Sequence, residues 1–276
     1  MPDRRKGSPL QGLSSIISFL LAFGSVAALH AEMATVRNGI KMFYEVRGNG
    51  QPVVLLHGGT ATIQLSFSNQ IDLLAKSHKV VMIEQMGHGH SPDVEGRAFS
   101  YEEMTEDTAA LLAQLKIVNA DVIGWSDGGQ IALRLAAFHP ELVRSVVASG
   151  VGFGANPASK ASIENMSDAR WPRQFRDQYA ATSPDGAAHW PVVWRKACKM
   201  WAGTSWGFTE ADLHRIKARA VIVAGDHDIV SADITRKVAR AIPGATARIL
   251  PNTDHWTFQK RADLMNPLLL EFLDAK

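Results

Sequence analysis

The stretch that most constrains this chain is Asp121-Val122-Ile123-Gly124-Trp125-Ser126-Asp127-Gly128-Gly129. A β-branched run enters a Gly-x-Ser-x-Gly pentapeptide, and an apolar-periodic helix pattern follows through Ile131, Ala132, Leu135 and Ala136. A strand that turns this abruptly into a helix forces the serine into a strained backbone conformation, and the flanking glycines leave room because they lack a Cβ. The hydroxyl then stands exposed at the end of a sheet. Beside it the helix N-terminus offers free N–H groups to a developing anion. A Gly/Ser turn without chemical consequence is the competing reading of the pentapeptide, and the strand before it and the helix after it favour the elbow.

Further apolar runs follow one another along the chain. Val36 to Val46 reads as a hairpin turning at Asn38-Gly39. Pro52–Leu56, Lys79–Ile83, Val122-Ile123, Val146–Ala148, Val221–Ala224 and Ala247–Leu250 read as strands, the continuous ones as strands buried on both faces. Helical patterns lie between them. One begins with the capping-box pair Ser100 and Glu103, one runs from near Ser231 to Ala241, and the last is predicted to begin at Asn266 with Pro267 in its first turn. Strands alternating with helices imply a mainly parallel, doubly wound α/β sheet. A chain of 276 residues suits one large domain of that kind. Its net charge of +2 suggests no basic face and argues against a nucleic-acid partner.

The alternation stops between Gly152 and Arg219. That segment carries Trp171, Trp190, Trp194, Trp201 and Trp206, and has no long β-branched runs. Residues 153–218 are therefore predicted to form a mainly helical cap inserted after the sixth strand, with residues 32–152 and 219–276 as the core. Most of these aromatics are expected to glue the cap to the core. Those facing the serine would shape an apolar acyl or alcohol pocket.

The amino terminus reads as an export signal. Arg4-Arg5-Lys6 precedes an apolar run from Leu13 to Leu29, and small residues place cleavage after Ala28 or Ala31. Residues 1–31 would then leave, and the protein would be periplasmic or secreted with no stable membrane partner. The alternative is a retained N-terminal anchor, because the run approaches the lower bound for a membrane span. The single cysteine, Cys198, forms no internal disulfide and reads as a small apolar side chain. Nothing in the sequence sets the oligomeric state.

A serine nucleophile needs a base, and the base needs an orienting acid. On an elbow of this kind the chain order is serine, acid, histidine. The acid is expected after a late strand, and Asp226-His227-Asp228 follows Val221–Gly225. Beyond Asp228 one histidine remains, His255, in the polar loop Asn252–Trp256 after the final strand. His255 is thus the candidate base by elimination. Asp226 and Asp228 both stand as candidate acids, Asp226 equally suited to capping the turn. Asp254 adjoins the base but is badly placed to receive its Nδ1–H. His227 reads as local structure, and His189 and His214 as packing or surface residues.

Four motifs together resemble the α/β-hydrolase superfamily: His57-Gly58-Gly59 after a strand, Gly124-x-Ser126-x-Gly128, Gly225-x-x-Asp228, and Asp254-His255 near the C-terminus. The likeness runs from about Val36 to the end and is weakest in the cap. The elbow Gly-Trp-Ser-Asp-Gly-Gly is similar to that of valacyclovirase-like esterases and amino-acid ester hydrolases. The resemblance implies an α/β-hydrolase fold and a serine hydrolase of small carboxylic esters, thioesters or lactones. Ser126 would be the nucleophile, His255 the base and Asp228 the acid. It further implies an oxyanion hole of the Gly59 and Asp127 N–H groups, with Thr60 as an alternative donor, and a structural role for His57 beneath the loop. Trp125, Trp194, Trp201, Trp256 and the Asp127 carboxylate are candidate pocket residues, the last through attraction of a substrate amine. A helix-end role is the competing reading for that carboxylate. The small-molecule ester is the one expected partner.

One stretch departs from the superfamily pattern Asp-x-Arg-Gly-x-Gly-x-Ser. Here it is Glu84-Gln85-Met86-Gly87-His88-Gly89-His90-Ser91, without the arginine and its ion pairing. Gly87 and Gly89 are expected to preserve the loop. His57, His88 and His90 have weak metal-ligand spacing, and the resemblance calls for neither metal nor cofactor. Serine at the elbow sets the chain apart from relatives that use aspartate there. Cofactor-free C–C bond hydrolysis, haloperoxidase-type chemistry, and small-molecule binding with little turnover remain open. The natural substrate depends on the shape of the cap.

Overall fold

Val53–Leu56, Val80–Ile83 and Val122–Gly124 are apolar runs with no polar face to offer water, and they lie side by side in the middle of one sheet. The computed structural model describes residues 30–153, 160–203 and 208–275. The sheet has eight strands: β1 (His30–Thr35), β2 (Lys41–Arg47), β3 (Gln51–Leu56), β4 (His78–Ile83), β5 (Ala120–Trp125), β6 (Val143–Ser149), β7 (Arg219–Gly225) and β8 (Thr246–Leu250). Their order is β1-β2-β4-β3-β5-β6-β7-β8. β2 pairs antiparallel with β1 and β4, and all other pairings are parallel.

Helices cover both faces. The core helices are α1 (Ile63–Phe67), α2 (Ile71–Leu74), α3 (Tyr101–Gln114) and α4 (Asp127–Phe138). Four short helices follow β6: α5 (Lys160–Glu164), α6 (Arg173–Thr182), α7 (Trp190–Trp201) and α8 (Glu210–His214). The chain then returns through β7, α9 (Ala232–Ala241), β8, α10 (Thr257–Lys260) and α11 (Ala262–Asp274). Ser100 and Ser231 cap α3 and α9, each hydroxyl accepting a backbone N–H three residues on.

Two predicted boundaries differ. The hairpin's first strand precedes Val36, and residues 36–40 are its turn, with Asn38 and Gly39 at φ 53° and 74°. β1 is a mostly exposed edge strand without a β-branched run, so it carries no apolar pattern. The last helix begins at Ala262 rather than Asn266, and Pro267 lies within it. Met265 and Leu269, four residues apart, are both fully buried, and this apolar stripe carries the helix through the proline. The proposed leader, apart from His30 and Ala31 in β1, and Trp206 lie outside the described residues.

Helices α6 and α7 sit over the C-terminal ends of the strands, held to the core by polar contacts. Thr62, before α1, donates its hydroxyl to Gln178 of α6. Asp93, in the loop after β4, accepts Lys196 Nζ of α7 at 2.7 and 2.8 Å and His189 Nε2 at 2.8 Å. Asp93 in turn donates its N–H to Asp185. Within this layer, Trp171 stacks on Trp201 at 5.5 Å between ring centroids, and Trp190 on Trp194 at 6.0 Å. Among the described residues no helix is long and apolar enough to cross a membrane.

Candidate active site

Ser126 sits between β5 and α4 at φ 54°, ψ −117°, a region that L-residues avoid. Close approach of the backbone explains why glycine flanks it. A Cβ on Gly124 would lie 2.2 Å from the Gly128 carbonyl oxygen, and one on Gly128 would lie 2.0 Å from that of Leu56. Ser126 N–H donates to the Ser149 carbonyl at 2.7 Å, and the Ser126 carbonyl accepts the Gln130 N–H at 3.0 Å. The serine is thereby pinned to β6 on one side and to its own helix on the other.

His255 comes from the loop between β8 and α10. Its Nε2 lies 3.0 Å from Ser126 Oγ, and its Nδ1 lies 2.7 Å from Asp228 Oδ1. The carboxylate can only accept, so Nδ1 carries the proton and Nε2 is free to accept the serine hydroxyl. The Asp228 side chain is fully buried and its Oδ1 also accepts the Val230 N–H at 2.9 Å. The imidazole edge lies against Gly150, where a Cβ would come within 2.5 Å of Cε1. Asp226 has a different task. It accepts the N–H groups of Asn252 and Thr253, which hold its carboxyl down to about 2, and the ring of the exposed His227. It thereby staples the loop that leads to His255. Asp254 accepts the Trp256 N–H and Lys260 Nζ, and points away from the base.

The loop after β3 faces this group. His57 Nε2 accepts the Gln85 N–H at 3.0 Å, so its Nδ1–H donates to the Gly58 carbonyl at 2.8 Å. Burial, with the neighbouring His88, pushes the His57 imidazole down to about 4 and keeps it neutral. Thr60 holds φ 56° and is buried, its hydroxyl without a hydrogen-bond partner among the described residues. Gly59 is indispensable on space alone: a Cβ there would lie 2.2 Å from Asp127 Oδ2 and 2.6 Å from the Trp201 ring. Glu84 braces this loop from below. Its carboxylate accepts the Ile63 N–H at 3.2 Å, the His90 N–H at 2.7 Å and His90 Nδ1 at 2.9 Å. Burial raises the Glu84 carboxyl, but these His90 contacts outweigh it and hold the group below its ordinary value. The Glu84 carboxylate in turn raises the His90 imidazole, its partner in a loop without the superfamily's arginine. Gly87 and Gly89 take φ 74° and 52° there, and a Cβ on Gly89 would strike the Glu84 carboxylate.

The candidate pocket residues divide. Asp127 is buried, and its carboxylate accepts Tyr101 Oη at 2.7 Å and Trp201 Nε1 at 3.0 and 2.9 Å. Burial raises its pKa against the pull of those donors. Its partners are side chains, where a helix-end role predicts backbone N–H groups. Trp201 and Trp256 are partly exposed, and Trp256 meets Phe175 of α6 edge-on at 5.1 Å. Trp194 is buried inside the layer, donating to the Met166 carbonyl. Trp125 is turned inward at 2% exposure and is spent on the histidine loop, Nε1 donating to the His255 carbonyl. Sequence reasoning missed the contributions of Gly150 and Tyr101, because neither lies in a motif. Cys198 is buried in α7, and burial pushes its thiol up to about 11. His57, His88 and His90 each spend a ring nitrogen on a carbonyl or on Glu84, and among the described residues no three potential ligands gather as a metal site.

Known proteins are similar to this chain in sequence and in fold. The chain is 27% identical over 266 residues to the human serine hydrolase BPHL, which covers 91% of this chain and 88% of that protein. It is 25% identical to a proline iminopeptidase of Lactobacillus crispatus, over 86% of this chain and 95% of that one. The enol-lactonase of Burkholderia xenovorans LB400 superposes with a TM-score of 0.71 at 23% identity, over 88% of this chain and all of the other. The model of the alpha/beta hydrolase fold family matches residues 51–193, which is half of the sequence, so this chain belongs to the alpha/beta hydrolase fold family.

Proposed function

We propose that this protein is a serine hydrolase that cleaves small carboxylic esters, thioesters or lactones through an acyl-enzyme. The observation that carries this reading is the unbroken line Ser126 Oγ–His255 Nε2, His255 Nδ1–Asp228 Oδ1, with links of 3.0 and 2.7 Å. Ser126 attacks the substrate carbonyl as His255 takes its proton, and Asp228 orients the imidazole and stabilises its cation. The N–H groups of Gly59 and Asp127 hold the oxyanion, with Thr60 the alternative donor. His255 then returns the proton to the leaving group and activates the water that frees the acyl group. Relatives named as a serine hydrolase and a proline iminopeptidase support hydrolysis as the reaction class.

A finer reading concerns amine-bearing substrates. The Asp127 carboxyl lies directly after Ser126, against Gly59, and among the described residues its side-chain hydrogen-bond donors, Tyr101 and Trp201, are neutral, with no cation bonded to it. A substrate ammonium beside it would supply the missing cation.

The test is a burst assay with p-nitrophenyl acetate together with fluorophosphonate labelling. A burst matching the enzyme concentration, one label per chain at Ser126, and neither in Ser126→Ala are expected. Labelling elsewhere, or turnover by Ser126→Ala at the parent rate, would remove the acyl-enzyme mechanism.

A further inference from the structure

Trp125 occupies the variable position before the serine, where the elbow itself asks for no particular side chain. Its indole nevertheless touches three parts of the site. Nε1–H donates to the His255 main-chain carbonyl at 2.7 Å. The ring lies 5.6 Å from the His255 imidazole and 4.9 Å from the Trp256 indole, centroid to centroid. Its Cε3 and Cζ3 edge packs over Gly58 so closely that a Cβ there would come within 2.6 and 2.7 Å. One rigid bicycle on β5 therefore separates the Gly58–Gly59 loop from the histidine loop.

We propose that Trp125 is a positioning residue that sets the distance between His255 and Ser126; this rests on the reading of those two residues given above. His255 stands on a loop outside the strand ladder, so its backbone needs a fixed point. The indole N–H supplies one from the strand that also carries Ser126, and base and nucleophile are registered on the same piece of backbone. The Ser149 Oγ–Thr257 Oγ1 bond of 2.7 Å adds a second link, from the strand that holds the Ser126 N–H to the residue two beyond His255. Without the indole N–H, the buried His255 carbonyl loses its partner and the loop shifts to recover one. Small displacements of a reacting pair are costly in rate, while the pocket that binds substrate is unchanged.

The experiment replaces Trp125 with 3-benzothienylalanine, which keeps the bicycle and exchanges the N–H for sulfur, and compares it with Trp125→Phe, which also shortens the ring. Steady-state rates on p-nitrophenyl acetate and melting temperatures are measured for both, with Ser126→Ala alongside. The sulfur analogue is expected to lose about tenfold in kcat with KM within about twofold and its melting temperature held. The phenylalanine variant is expected to lose at least as much rate. Parent-like kcat in the sulfur analogue overturns the positioning role, as does a rate loss that only follows the unfolded fraction. If Ser126→Ala instead retains the parent's activity, the proposed mechanism fails, and that result is separate from either outcome at Trp125.

Discussion

The indole N–H of Trp201, carried by α7, donates to both carboxylate oxygens of Asp127, the residue directly after Ser126. A side chain of the overlying helices thus reaches the turn that carries the proposed nucleophile.

Trp201→Phe should therefore alter selectivity as well as folding. The ratio of kcat/KM between short and long p-nitrophenyl esters is expected to move severalfold, beyond the loss of about 1–3 kcal/mol in stability that removing a donor from the buried Asp127 carboxyl brings. Trp194→Phe should alter folding alone, because Trp194 is buried and bonded to the Met166 carbonyl. A loss of about 1–3 kcal/mol in stability with an unchanged ester profile is expected there. Equal rate loss on every ester in both variants would show that both side chains only pack.

The two loop carboxylates should separate cleanly. Asp228→Asn leaves the shape but replaces an acceptor-only carboxylate with an amide that can donate to His255 Nδ1, so the tautomer is no longer fixed, and kcat should fall by about 10³–10⁴. Asp226→Asn loosens the turn at Asn252 and Thr253, so the melting temperature should drop while kcat stays within a few fold. The larger rate loss at Asp226 would reverse the assignment.

Stability should decline in mild acid. His57 has its pKa at about 4 in the folded chain against an ordinary 6.5, and burial lowers His88 as well. Below pH 6.5 the unfolded chain binds protons that the folded chain refuses, so stability falls as pH drops and the His57 contribution levels off below about 4. The gap at His57 corresponds to about 3 kcal/mol. In His57→Gln, denaturant midpoints measured between pH 7 and 4 should fall less steeply than in the parent. Parallel curves would locate the acid sensitivity elsewhere.

For Asp127, the comparison is an α-amino ester against its deaminated analogue. Asp127→Asn should cost the amino ester at least tenfold in kcat/KM and leave the analogue nearly unchanged. Equal effects on both substrates would take away the reason for preferring amine-bearing esters.

Export is tested by intact mass. We propose that protein recovered from a bacterial periplasm begins after Ala28 or Ala31. Cleavage after Ala28 leaves β1 whole, and cleavage after Ala31 removes the residues that pair with Val46 and Glu45. A full-length, membrane-retained species would support the anchor instead.

The central strands and the helices α3, α4 and α9 were legible because burial on both faces writes continuous apolar runs, and caps write fixed offsets. β1 left no such mark, being an exposed edge, and Pro267 suggested a start where buried neighbours impose a continuation. In the site, Ser126 follows from local geometry and His255 from elimination along the chain. Asp228 is set apart from Asp226 by the Gly225-x-x-Asp228 spacing of the superfamily resemblance, whereas the placement after a strand leaves both open, because it does not record where each carboxylate points. The work of Trp125, Gly150 and Tyr101 depends on partners far away in sequence, and residue type alone does not reveal it.

Asp93, Thr62 and Asp127 receive or send the polar contacts that seat α6 and α7 on the core. Three separated points define a plane, so these residues act as a mounting plate for whatever is placed above Ser126. A transplanted cap from another protein would keep its orientation only with a cation opposite Asp93, an acceptor opposite Thr62 and an N–H opposite Asp127. A graft that lacks one of the three would pivot about the other two, and the mouth of the site would change shape without any alteration to the residues that react.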